Sequence, residues 1–134
     1  MCKGKIHSAT VTHAHLDYVG SITIDRILME AAQILPYEIV QVTSYRNATR
    51  WKTYALPGEA GSGKICLNGP PAHLFAPGDK VVILSLGSFT DEELKQLTPR
   101  VVFVNEMNRI EICQEHPLYN ERGEINYDAL QPRQ

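Results

Sequence analysis

Apolar and polar positions alternate through much of this chain, the period of two that marks strands with one buried face. Residues 5–15 run this way, and Ile22-Thr23-Ile24 resumes the extended pattern after Gly20. Two more such runs, 39–45 and 50–56, flank Arg46-Asn47-Ala48 and predict a hairpin. A strand over 64–67 follows the glycine-rich loop 57–63, and the turn Pro77-Gly78-Asp79 leads into an apolar, buried strand over 80–86. Residues 100–105 are expected to form the final strand. Two helices interrupt the series. Asp25 is the expected N-cap of a helix through position 32, with Ile27, Leu28, Ala31 and Leu35 as its apolar stripe. Thr90-Asp91-Glu92-Glu93 has the form of a capping box at a second, short helix. From Glu111 the chain turns polar, broken by Pro117, Gly123 and Pro132. The expectation is one domain over 1–110 and a loosely packed polar tail over 111–134. Many short strands with few helices predict a mainly β fold, a small β-barrel with short helices.

Composition narrows the class. At 134 residues the chain is long enough for one real core and too short for two domains. A net charge of −2, with scattered basic residues, gives no pull toward nucleic acid or an anionic membrane. No apolar stretch approaches the length of a membrane span, and the start of the chain lacks the apolar centre of a signal peptide. Cys2, Cys66 and Cys113 are odd in number and widely spaced, which favours reduced thiols in a cytoplasmic protein.

The candidate chemistry centres on Gly20-Ser21, between two β-prone runs. A serine hydroxyl can attack the carbonyl just before it when the backbone is held in a strained turn. Glycine suits the preceding position because it has no Cβ and tolerates unusual φ and ψ. The peptide would become an ester, and elimination would leave a ketone-bearing pyruvoyl group derived from Ser21. The surrounding segments are Gly4-Lys5-Ile6-His7, Thr12-His13-Ala14, Tyr18-Val19-Gly20-Ser21, Arg50-Trp51-Lys52-Thr53-Tyr54 and Asn68-Gly69. Together, over residues 3–99, they resemble the aspartate 1-decarboxylase family. The resemblance implies a double-psi β-barrel, self-cleaved into 1–20 and 21–134. The pyruvoyl enzyme would convert L-aspartate to β-alanine and CO₂ for pantothenate biosynthesis.

The same resemblance assigns the site residues. Ser21 would become the pyruvoyl group, and Thr53 would donate to the oxyanion formed during attack on Gly20. Tyr54 would be the proton donor, since a phenol with a pKa of about 10 keeps its proton at neutral pH. Adjacent strand residues point to opposite faces, so Thr53 and Tyr54 can share a site only at an edge, a bulge or a boundary. Lys5 and Arg50 would bind substrate, with His7 and Tyr18 lining the site. They are expected on the side-chain carboxylate, because clamping the departing α-carboxylate would stabilise the ground state. Asn68, Gly69, Pro70 and Pro71 correspond to a substrate-contacting turn. There the chain departs from the family, which usually has alanines at the last two positions. Proline carries no N–H, so Gly69 N–H and Asn68 are the donors expected to remain. The resemblance further implies a homotetramer with sites between subunits, and a maturation factor is a further partner to test.

Other readings compete. His13 and His15 share a strand face and, with His73 elsewhere, could ligate a metal, although no cysteine or glutamate accompanies them. A non-catalytic barrel with Gly20-Ser21 intact would be an interaction module. A serine hydrolase lacks its G-x-S-x-G turn here.

Overall fold

The computed structural model describes residues 1–128. Nine strands hydrogen-bond in the order β2-β6-β3-β5-β4-β7-β1-β8-β9. They are β1 (Cys2–Thr10), β2 (His13–His15), β3 (Ser21–Asp25), β4 (Ile39–Ser44), β5 (Arg50–Gly58), β6 (Ile65–Asn68), β7 (Lys80–Leu86), β8 (Arg100–Val104) and β9 (Ile110–Glu115). The run expected as one strand over 5–15 is two. At Val11 the chain leaves β7, its N–H bonding to Asp79 O at 2.9 Å, and Thr12 N–H then bonds to Ile65 O at 2.8 Å. One continuous segment therefore pairs near both ends of the sheet order, which curls the sheet into a small barrel. Side chains pointing inward fill it, with Ile6, Ile22, Ile24, Val42, Leu67 and Ile83 all at 0% exposure.

The hairpin of β4 and β5 forms as the alternation predicts, with Ile39 opposite Tyr54 and Thr43 opposite Arg50. Two expectations need correction. The first concerns the helix, α1 (Arg26–Ala31), which buries Leu28, Met29 and Ala32 while Ile27 and Leu35 stay exposed. Gln33 at φ 60° ends the helical path, so Leu35 never joins the stripe. The second concerns the end of the chain. β8 is not the last strand, because β9 pairs antiparallel with it, Val102 opposite Cys113. Its exposed pattern hides the period that would reveal a strand, since it lies at the edge of the sheet. The second helix, α2 (Asp91–Leu94), carries the expected capping box of Thr90 and Glu93.

Asp25 does more than cap α1. Its buried carboxylate accepts from Ile27 N–H at 2.9 Å, Gly61 N–H at 3.0 Å and Gly63 N–H at 2.8 Å. It thus pins the glycine-rich loop against the end of β3. Asp25→Ala should cost about 3 kcal/mol or more, because three donors lose a charged acceptor at once. A thermal unfolding midpoint within a degree of the parent protein would contradict this.

No helix among the described residues is long and apolar enough to cross a membrane. The three cysteines are free.

Candidate active site

The turn from residue 16 to residue 20 is exposed, with Tyr18 at 66% and Val19 at 78%, and the chain then dives into β3 at Ser21, 2% exposed. Gly20-Ser21 is therefore a junction between an accessible turn and a buried strand start. Gly20 itself is not among the glycines with positive φ, and a Cβ there would touch Pro70 Cδ at an ordinary 3.6 Å. The unusual backbone lies across the junction instead. Gly69 has φ 81° and ψ −144°, and a Cβ on it would stand 2.7 Å from Tyr18 O and 2.8 Å from Gly20 Cα. Gly69 is the residue whose missing side chain lets the turn close down.

Three strands supply the floor of a pocket of about 200 Å³ beside Ser21. Ser21 pairs with Asn68 and Thr23 with Cys66 across β3 and β6, while Thr23 pairs with Leu56 across β3 and β5. Two steps back in the latter register, past Ile22 opposite Ala55, set Ser21 beside Tyr54. Ser21, Thr23, Tyr54, Leu56, Cys66 and Asn68 all line the pocket, walled by His15, Tyr18, Val19 and Lys64. Tyr54 stacks on Tyr37, ring centroids 5.4 Å apart.

Asn68 holds the Ser21 hydroxyl. Its Nδ2 donates to Ser21 Oγ and to Thr23 Oγ1, each at 3.0 Å, while its Oδ1 accepts from Cys66 Sγ at 3.2 Å. Burial pushes the Cys66 thiol up, the Lys64 ammonium opposing it weakly, so the thiol stays protonated and able to donate. The arrangement holds the Ser21 oxygen in one rotamer and leaves its own O–H free to give up a proton.

The chain brings only part of the expected site together. Ser21, Tyr54, Asn68 and Tyr18 meet at the pocket. Thr53 does not line it. At 8% exposure it belongs to the buried face of β5 with Ala55, because adjacent strand residues alternate. Lys5 and His7 lie on β1, between β7 and β8, well removed from β3 in the sheet order. His7 packs on Tyr45 and Phe103. Arg50 begins β5, exposed, four residues from Tyr54. Gly69 N–H is not the spare donor expected of it, because His15 O accepts it at 2.7 Å. Pro70 and Pro71 open a 3₁₀ turn, Pro70–His73, a position for which their fixed φ suits them. His13 and His15 stack at 5.9 Å, and no group of three or more metal-ligating side chains occurs among the described residues.

The sequence reading passed over Thr23, Leu56, Lys64 and Cys66. The signal was present: Thr23 falls two positions from Ser21, Leu56 two from Tyr54, and Cys66 and Lys64 two and four from Asn68, so alternation gives each the same face.

A sequence model of the family described as aspartate decarboxylase matches residues 1–111. Aspartate 1-decarboxylase of Acetivibrio thermocellus is 57% identical over 110 residues, covering 82% of this chain and 87% of the relative. The enzyme of the same name from Heliobacterium modesticaldum is 53% identical over 110 residues, covering 82% and 83%. That from Listeria monocytogenes is 54% identical over 112 residues, covering 84% and 88%.

Proposed function

This chain belongs to the aspartate decarboxylase family, and we propose that it performs its reaction with a pyruvoyl group made from its own Ser21. It is a carboxy-lyase that converts L-aspartate to β-alanine and CO₂. The observation that carries the proposal is the setting of Ser21: a buried hydroxyl, held by Asn68, immediately after an exposed turn and beside Tyr54.

In the maturation step Ser21 Oγ forms a bond to the Gly20 carbonyl carbon as the peptide C–N bond breaks, giving an ester. The Ser21 Cα proton then leaves as the Cβ–O bond breaks, so residues 1–20 end in a carboxylate. Water adds to the remaining enamine carbon and ammonia departs, leaving the ketone. The attack builds negative charge on the Gly20 oxygen, which needs a donor. Continuing the β3–β5 register past its last pair sets Thr53 beside Gly20, which supports the donor role. Thr53 and Tyr54 then serve different atoms from opposite faces of one strand. The donor set also fits the product: Asn68 Nδ2, beside Ser21, is a neutral amide donor that could serve a keto oxygen formed on the Ser21 Cα.

When formed, the ketone supplies the electron sink that makes loss of CO₂ feasible. The chain's own residues do the rest. Tyr54 delivers its phenolic proton to the former α-carbon. Tyr54→Phe should cleave normally yet lose about 100-fold or more in kcat; an unchanged kcat removes Tyr54 from that role. Arg50, Lys5 and His7, which lie outside the pocket of their own chain, would reach substrate on a neighbouring copy. This supports the homotetramer with sites between subunits that the resemblance implies. Arg50 and Lys5 would grip the carboxylate that survives the reaction. The exposed Tyr18, Val19 and Tyr37 near the pocket are the surface such a neighbour would cover. Free cysteines fit a cytoplasmic setting, and β-alanine would serve pantothenate biosynthesis.

Denatured intact mass of the purified protein tests the proposal. The expected result is two chains, the larger lighter by one ammonia than a chain starting at serine. A single chain of 15.0 kDa that persists on long incubation and forms no β-alanine overturns it.

A further inference from the structure

The pocket beside Ser21 has a charge pattern that neither the cleavage nor the proton transfer uses. Its lining holds no carboxylate and one permanent cation, Lys64. Lys64 immediately precedes β6 and shares a face with Cys66 and Asn68, two and four residues on. Its backbone is fixed at both ends: its carbonyl accepts from Asp25 N–H at 2.8 Å and its N–H donates to Ser62 Oγ at 3.2 Å. No ion pair among the described residues engages its ammonium, and of the lysines and arginines without one it is the one that lines this pocket. Lys64 lines the pocket together with Cys66 and Asn68. Along β6, the four residues from Lys64 to Asn68 span about 13 Å between Cα atoms. A lysine side chain and a four-carbon dicarboxylate laid end to end are together about as long as that span.

We propose that Lys64 binds the side-chain carboxylate of the substrate and so helps set the preference for an acidic amino acid. This rests on the decarboxylase reading of the same pocket. An ammonium without a carboxylate partner gains a charged acceptor when an anionic substrate enters. Lys64 thereby adds a cation from within the chain to those that a neighbouring copy would bring. The carboxylate it binds is retained through the reaction, so its removal weakens substrate and transition state alike.

The test compares Lys64→Met, Lys64→Gln and Lys64→Arg, each first checked by intact mass for cleavage. The neutral variants should be cleaved, with KM for L-aspartate raised about 10-fold or more and kcat changed much less. Inhibition by succinate, which offers two carboxylates without the amine, should weaken in parallel. Lys64→Arg should restore most of both. Cleaved neutral variants with unchanged KM and unchanged succinate inhibition overturn the proposal. Neutral variants that fail to cleave also overturn it, because Lys64 would then serve folding or maturation. Failure of the parent protein to cleave or turn over counts against the pyruvoyl reading, a result separable from any effect at Lys64.

Discussion

Ser21→Ala should give one chain near 15.0 kDa and no detectable β-alanine, however long it is incubated. The hydroxyl is the only atom of the chain placed to attack the Gly20 carbonyl from the following residue, and without attack there is no ketone. Turnover falls with cleavage because the electron sink comes from the same atoms. The change should leave the fold intact. Ser21 is buried, alanine is smaller, and Asn68 keeps its second acceptor at Thr23 Oγ1. The cost is one neutral hydrogen bond, about 1 kcal/mol, so the thermal midpoint should drop only slightly. Cleavage or activity in this variant would sink the mechanism, and a collapsed midpoint would show that Ser21 is chiefly structural.

Gly69→Ala should also block cleavage, and for a different reason. The backbone conformation at Gly69 belongs to a region that glycine alone adopts without strain of about 1–3 kcal/mol. The new Cβ would press on Tyr18 O and on Gly20 Cα and N, all backbone atoms of the scissile turn and all under 3.0 Å. Backbone cannot swing aside as a side-chain tip can, so the turn must shift, and a hydroxyl aimed at a neighbouring carbonyl tolerates little displacement. Gly20→Ala is the control, since a Cβ there meets only Pro70 Cδ and Asn68 O at ordinary contact distances. Intact mass over time should show Gly69→Ala uncleaved and Gly20→Ala cleaved to a greater extent. Parental cleavage in Gly69→Ala would remove the turn-closing role of Gly69.

The sequence singles out Gly20 for its tolerance of unusual φ and ψ, while the positive-φ glycine packed against the same turn is Gly69. A sequence shows that a glycine adjoins the reactive bond; it cannot show that another glycine, 49 positions later, packs against the same atoms. The Gly69 N–H failed as a spare donor for a similar reason, because its acceptor is the His15 carbonyl on a strand that only the fold brings near. Local rules did better where they act alone. The Thr90-Glu93 capping box and the Asp25 cap involve partners within three residues, so spacing sufficed. The further bonds from Asp25 to Gly61 and Gly63 cross 36 and 38 residues and left no trace in the pattern.

By itself the sequence determined the mainly β class, the β4–β5 hairpin, both helix starts and the family. Each of these depends on residue type and short-range spacing. Tertiary structure decided where the strand over 5–15 changes partners, that β9 extends the sheet, and which side chains share the pocket. Asn68 stands beside Ser21 through pairing of β3 with β6, and Cys66 and Lys64 line the same pocket, while Lys5, His7 and Arg50 lie outside it. Which residues meet is set by strand order and register, long-range choices made by burying one face of every strand together.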